Sequence, residues 1–269
     1  MNVSSNIFLQ LISIVLGISG LIAIIDYAGL LPPSIAKWVA RNRLEAALRA
    51  LKRIGVRICW DEDQPSLSVM ERALTAVGVR EPVYKVQLRQ MLVEDTFEGE
   101  IDVGQTRTFS SQKFIDVMGG SVDVARSISY ARILKTHAAV ESLGGYDFVA
   151  TPKGGTPILG YEFARLVDKP LVLGRDTEKA KDPTGLMGQH LYLDFPKAML
   201  LNGKKALLVD DSTTGGRKLL ALADRLTEAG SLVSDALVLF EPKGKGAREL
   251  LESKGIRLHT ILVGPQGRF

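Results

Sequence analysis

The run Leu207-Leu208-Val209-Asp210-Asp211-Ser212-Thr213-Thr214-Gly215-Gly216-Arg217 sets two adjacent acids after an apolar stretch and before a Thr/Gly turn. Two carboxylates at a strand end can accept hydrogen bonds from vicinal hydroxyls, as on a ribose. The turn offers Thr hydroxyls and backbone N–H groups at the start of a helix, which suits a phosphate. Its glycines let the backbone approach that phosphate closely. A sugar phosphate fits this combination better than a bare anion does. The spacing is neither that of a Walker A loop nor that of a G-x-G-x-x-G dinucleotide fingerprint. The plain reading is a connecting turn between a strand and a helix.

A second loop of this kind is Thr151-Pro152-Lys153-Gly154-Gly155-Thr156-Pro157. Both loops require a strand before them and a helix after them. The apolar runs at 146–151, 170–174, 206–209, 237–240 and 258–263 read as strands. Helices are expected at 157–167, at 217–229 closed by Gly230, and at about 245–254. Strands alternating with helices imply an α/β fold with a mostly parallel, doubly wound sheet. In such sheets ligands sit at the carboxyl ends of the strands, where both loops fall. Upstream, 66–77 and 83–93 read as helices, and the acidic stretch 94–100 reads as a break and a domain boundary.

The chain has 269 residues and a formal net charge of +4, which fits an anionic partner without naming one. Its single cysteine, Cys59, rules out an intramolecular disulfide, and His137, His190 and His259 lack metal-ligand spacing. His137, in an expected helix, and His259, in an expected strand, read as structural. Cys59 and Trp60 read as packing residues, and Lys243 and Lys245 as a solvated loop.

Residues 7–25 carry no charge, and apolar character extends to Leu31 beyond Asp26. Such a stretch is long enough to cross a bilayer as a helix. The absence of Lys or Arg before it argues against a signal peptide, and its few polar residues make no interfacial face. Lys37, Arg41, Arg43, Arg49, Lys52, Arg53 and Arg57 follow, against the single acid Glu45. The positive-inside rule then puts the remainder in the cytoplasm, with a single-pass anchor in the cytoplasmic membrane. The expected organisation is an anchor at 1–33 with membrane contact at 7–31, a basic helical segment at 34–100, and a catalytic-type domain at 101–269.

The acid–Thr–Gly motif resembles the signature of the type I phosphoribosyltransferases, with Asp210, Asp211, Thr214, Gly215 and Gly216 in its places. Three further stretches resemble orotate phosphoribosyltransferase in particular, in that family's order. They are the early substrate-side segment 108–116, the pyrophosphate loop 151–157, and a mobile loop containing Ala180-Lys181-Asp182. The resemblance spans about 108–229. It implies a type I phosphoribosyltransferase-like fold and 5-phosphoribosyl-1-pyrophosphate as ligand, with a nucleobase as co-substrate and orotate or a related pyrimidine first. It implies that Asp210 and Asp211 hold the ribose hydroxyls and that Thr213, Thr214, Gly215 and Gly216 cradle the 5-phosphate. Lys153 and Gly154 would take pyrophosphate, with Arg175 as a further candidate, and Lys181 would offset charge on the departing pyrophosphate. Mg2+ is the implied cofactor, held mainly through the ligand near Asp210 and Asp211. A homodimer is implied as well, and no nucleic acid partner is expected.

The chain departs from the family pattern twice. Pro183 and Thr184 follow Lys181-Asp182 where the family has His-Gly, and Arg217 and Lys218 stand where it has small or hydroxyl residues. Two main readings follow. One is a membrane-anchored phosphoribosyltransferase, favoured by Lys153, Lys181 and both acids. The other is a non-catalytic membrane-bound sensor of the sugar phosphate or a nucleotide, favoured by the lost loop histidine and the anchor. A third, an effector that consumes the sugar phosphate, has only the anchor to suggest it.

Overall fold

The structure is a computed structural model that describes residues 81–103, 109–180, 184 and 187–264. The expected anchor at 7–31, the basic segment at 34–58, the helix at 66–77 and the loop residue Lys181 lie outside the described residues. Among the described residues no helix is long and apolar enough to cross a membrane.

The chain divides into two compact units at Val83, and the second, from Tyr84 onward, holds the described fold. Helix α1 (Val83–Glu94) leads into an antiparallel hairpin of β1 (Thr96–Val103) and β2 (Phe109–Ile115). Helices α2 (Val117–Ser121) and α3 (Val124–Val140) follow. Then come β3 (Phe148–Pro152), α4 (Pro157–Leu166), β4 (Leu171–Gly174), a 3-10 turn (Gly188–Leu191) and β5 (Leu193–Asp194). The last elements are β6 (Lys205–Ser212), α5 (Arg217–Glu228), β7 (Leu232–Pro242), α6 (Ala247–Glu252) and β8 (Arg257–Gly264).

The main sheet has the order β5-β4-β3-β6-β7-β8, parallel except for β5. Its central strands are covered on both faces, so they read as unbroken apolar runs rather than alternating ones. Every residue of β3 is buried, as are Ala206 to Asp210 of β6. Helix α5 buries the stripe Leu219, Leu222, Ala223 and Leu226. These pack with Ala150, Leu208, Val238, Leu251 and Leu258 in one apolar core. From β3 the chain crosses to β4 on one side, and from β6 it crosses to β7 on the other. Right-handed crossovers in opposite directions put α4 and α5 on opposite faces. The order therefore reverses between β3 and β6, and a crevice opens there at the carboxyl ends.

The stretch 94–100 is not a break in the fold. Glu94 ends α1, Asp95 makes the turn, and β1 runs from Thr96 through the rest. Asp95 is buried at its side chain and accepts from Arg126 and Tyr130 of α3. The run of acids suggests a solvated turn, but one of them is an interior anchor. The hairpin therefore crosses the boundary expected at residue 100. β7 is also longer than expected and begins at Leu232: Leu232 and Val233 pair with β6, a register shift passes over Ser234, and the polar Asp235 pairs with both β6 and β8.

Candidate active site

Asp210 is the sixth residue of β6, whose register places it beside Val238 of β7. Its side chain is 4% exposed. Asp210 Oδ1 accepts from the backbone N–H of Asp211 at 3.0 Å and of Thr156 at 3.4 Å. Asp211 is half-buried and accepts from the Ser212 N–H at 2.5 Å. Among the described residues neither carboxylate has a Lys or Arg within ion-pair distance. Burial, and then the neighbouring Asp211 charge, push the Asp210 carboxyl well above its ordinary range. Burial raises Asp211 also.

The chain then turns at Thr213 to Gly216. Thr213 is buried, its N–H donates to the Phe240 carbonyl at 3.2 Å, and its hydroxyl oxygen accepts from the Gly216 N–H at 3.1 Å. Gly216 has φ +70°, and a Cβ there would meet the Ala247 carbonyl at 3.1 Å, so glycine is required on two counts. Thr214 is exposed and Gly215 half-buried, at the start of the 12-residue helix α5. The N–H groups of that helix start have no intrahelical acceptors.

The loop after β3 meets this turn across the crevice. The Lys153 N–H donates to the Gly174 carbonyl at 2.7 Å, which ties the loop to β4. The Gly155 N–H donates to the Pro152 carbonyl at 3.0 Å. A Cβ on Gly155 would lie 2.4 Å from Asp210 Oδ1, so only glycine lets this backbone rest on the carboxylate. Lys153 and Gly154 are exposed, with the Asp176 and Lys218 side chains beside Gly154. Thus Asp210, Asp211, Thr213, Thr214, Gly215, Gly216, Lys153 and Gly154 are brought to one place.

Arg175 stands apart in its contacts. It follows β4, next to the Lys153 loop, but its Nε donates to Asp194 Oδ2 at 2.5 Å. Lys179 reaches the same carboxylate at 3.2 Å. Burial opposes ionisation of Asp194, but these two partners outweigh it and hold the carboxyl below its ordinary range. The Arg175 guanidinium is therefore given to Asp194 rather than to the crevice. Reasoning from the sequence also missed one contact. Lys218 Nζ donates to the Gly154 carbonyl at 2.8 Å and joins the two loops. The signal that could have found it was the pair of cations in the first turn of a helix.

His137 and His259 are structural, as their expected elements imply. Tyr84 Oη lies 3.2 Å from His137 Nδ1, and His259 Nε2 lies 3.0 Å from Asp235 Oδ1. Both rings are buried, and Asp235 pairs with the first residue of β8, at the end of the sheet opposite the crevice.

No family model matches the chain. It is 30% identical over 144 residues to orotate phosphoribosyltransferase of Methanopyrus kandleri, covering 53% of this chain and 73% of that protein. It is 34% identical over 115 residues to hypoxanthine/guanine phosphoribosyltransferase of Methanothrix soehngenii, covering 40% of this chain and 57% of that protein. The solved structure of orotate phosphoribosyltransferase from Aeropyrum pernix superposes with a TM-score of 0.53 at 22% identity, over 68% of this chain and 93% of that one. That structural likeness shows the α/β fold with its mostly parallel sheet, and the identity to the Methanopyrus protein shows descent. The chain belongs to the type I phosphoribosyltransferases, among relatives of orotate phosphoribosyltransferase, and is a phosphoribosyltransferase.

Proposed function

We propose that the protein transfers the 5-phosphoribosyl group between 5-phosphoribosyl-1-pyrophosphate and a nitrogenous base, releasing pyrophosphate in the forward direction. An orotate-like pyrimidine is the first acceptor to test. The observation that carries this reading is the contact of two ligand loops over one carboxylate. Asp210 accepts from Thr156 at 3.4 Å and lies directly under Gly155. A ribose at the carboxyl end of β6 would give its hydroxyls to Asp210 and Asp211. The turn at Thr213 to Gly216 would receive the 5-phosphate, and Lys153 and Gly154 the pyrophosphate.

In this reading the chemistry is electrostatic. Breaking the bond to pyrophosphate leaves a cationic ribosyl centre, which two carboxylates stabilise, and adds negative charge to the leaving group. Lys153 sits where it can offset that charge, and the family resemblance implies the same task for Lys181. A closed loop keeps water away, so that the base is the acceptor. Mg2+ fits the site in a limited way. Asp210 and Asp211 supply two oxygen donors without a cation beside them, yet among the described residues no group of three or more His, Cys, Asp or Glu side chains converges. An ion would thus be held chiefly by the oxygens of the ligand, and when bound it would neutralise diphosphate charge.

The test is pyrophosphate release by the full-length protein with the sugar pyrophosphate, Mg2+ and a panel of bases. Release with one base, lost in Lys181→Ala, identifies the acceptor. No release from a protein that still binds the sugar pyrophosphate would end the transferase reading for that panel.

We further propose that residues 7–31 anchor the protein in the cytoplasmic membrane. Support comes from the uncharged stretch and the basic residues after it. Recovery of the protein in the soluble fraction after carbonate extraction would defeat this.

A further inference from the structure

Helix α5 opens with Arg217 and Lys218, and its first turn holds no acid. A helix start carries positive partial charge, so two cations there repel it unless an acceptor shares the space. For Lys218 that acceptor is the backbone of a loop 64 residues away, the Gly154 carbonyl at 2.8 Å. This is its one hydrogen bond among the described residues, and an ammonium has three protons to give.

The loop it holds has acidic neighbours. A Cβ on Gly155 would lie 2.4 Å from Asp210, and one on Gly154 would lie 3.0 Å from Asp176. A diphosphate arriving at the 153–155 backbone therefore meets two carboxylates, and Lys153 alone would have to offset them. Lys218 adds a second cation at the same backbone.

We propose that Lys218 is a positioning residue for the diphosphate end of the sugar pyrophosphate, holding the 153–155 loop by the Gly154 carbonyl and setting a second cation beside that backbone. The role rests on the transferase reading above. It predicts an effect on affinity for the sugar pyrophosphate rather than on the bond-breaking step. A lysine that merely covered a helix surface would affect neither.

The test uses the full-length protein with whichever base supports turnover, and compares Lys218→Met with Lys218→Arg. The methionine keeps the stem and loses the ammonium. We expect it to raise KM for the sugar pyrophosphate about tenfold, with kcat within about twofold and KM for the base unchanged. Arginine should recover most of the loss. Calorimetric binding of inorganic pyrophosphate should weaken in parallel in the methionine variant. An unchanged KM would overturn the proposal. So would a fall in kcat alone, or an equal loss in both variants together with a lowered melting temperature. If the wild-type protein neither turns over nor binds pyrophosphate, the transferase reading fails and this proposal fails with it. If the wild type does both and Lys218→Met matches it, only the role of Lys218 is lost.

Discussion

Two groups of buried acids in this fold are built on opposite plans. Asp95, at the junction of α1 and β1, is enclosed by donors from α3: Arg126 Nη1 on one oxygen and Tyr130 Oη on the other, with Arg126 Nη2 on Glu94. Asp210 and Asp211, at the carboxyl end of β6, accept from backbone N–H groups and have no ion-pair partner among the described residues. The first group satisfies its charge inside the chain. The second leaves its charge for something else, and burial pushes both carboxyls upward. The groups are close enough for the Asp211 charge to be felt at Tyr130, whose hydroxyl is pushed up by burial first and by Asp95 next. An acid enclosed by donors supports the fold. An acid buried without a cation weakens the fold and is kept for a ligand.

The sharpest way to break this contrast is to exchange the charge in each place. Asp210→Asn keeps the shape and removes the charge, so turnover should fall about 10²–10³-fold while the melting temperature holds or rises. A large loss of stability instead would mean that Asp210 is a structural acid like Asp95. Gly155→Ala should lower turnover comparably, since its Cβ would lie 2.4 Å from Asp210 Oδ1. In contrast, Asp95→Ala leaves Arg126 and Tyr130 without their shared partner. It should cost about 2–3 kcal/mol in urea unfolding. Tyr130→Phe removes one of those donors alone and should cost about 1–2 kcal/mol. An Asp95→Ala variant with wild-type stability would remove the distinction.

The sequence made these regions unequally legible. The β6 motif could be read because its chemistry is local: strand, two acids, Thr and Gly are contiguous, and the turn they make is the site. The Lys153 loop was legible for the same reason, as were α4 and α5, which start at Pro157 and Arg217 as expected. Asp95 was not, because what makes it an interior residue lies 31 and 35 positions away on α3. Arg175 is a further pyrophosphate candidate by resemblance alone, and its guanidinium is engaged by Asp194, contributed by the short antiparallel strand β5. Arg217 and Lys218 read in the sequence as extra cations that could help bind a phosphate or change which one is bound, but the Gly154 carbonyl that Lys218 holds is 64 residues earlier and could not be seen there. Residues that meet by topology carry no local mark in sequence.

The smallest effects belong to acids at the other end of the sheet, and they test the contrast by pH. Burial opposes ionisation of Asp235, but Ser234 and His259 outweigh it, so the carboxyl lies below its ordinary value of 3.8. Glu141 faces the other ring nitrogen of His259 at 3.4 Å, and the charge of Lys205 also favours the ionised Asp235. A carboxyl lowered in the folded state binds fewer protons there than in the unfolded chain. Its contribution is therefore full above the unfolded value and is lost as pH falls through the folded one. The melting temperature of the wild type should exceed that of Asp235→Asn by a steady margin at neutral pH, and the margin should shrink below about pH 4. Asp210, raised by burial, has the opposite sign: its charge weakens the ligand-free fold as pH rises, and Asp210→Asn should relieve that. If both variants lost stability in parallel toward acid, the two kinds of buried acid would not differ in the way proposed.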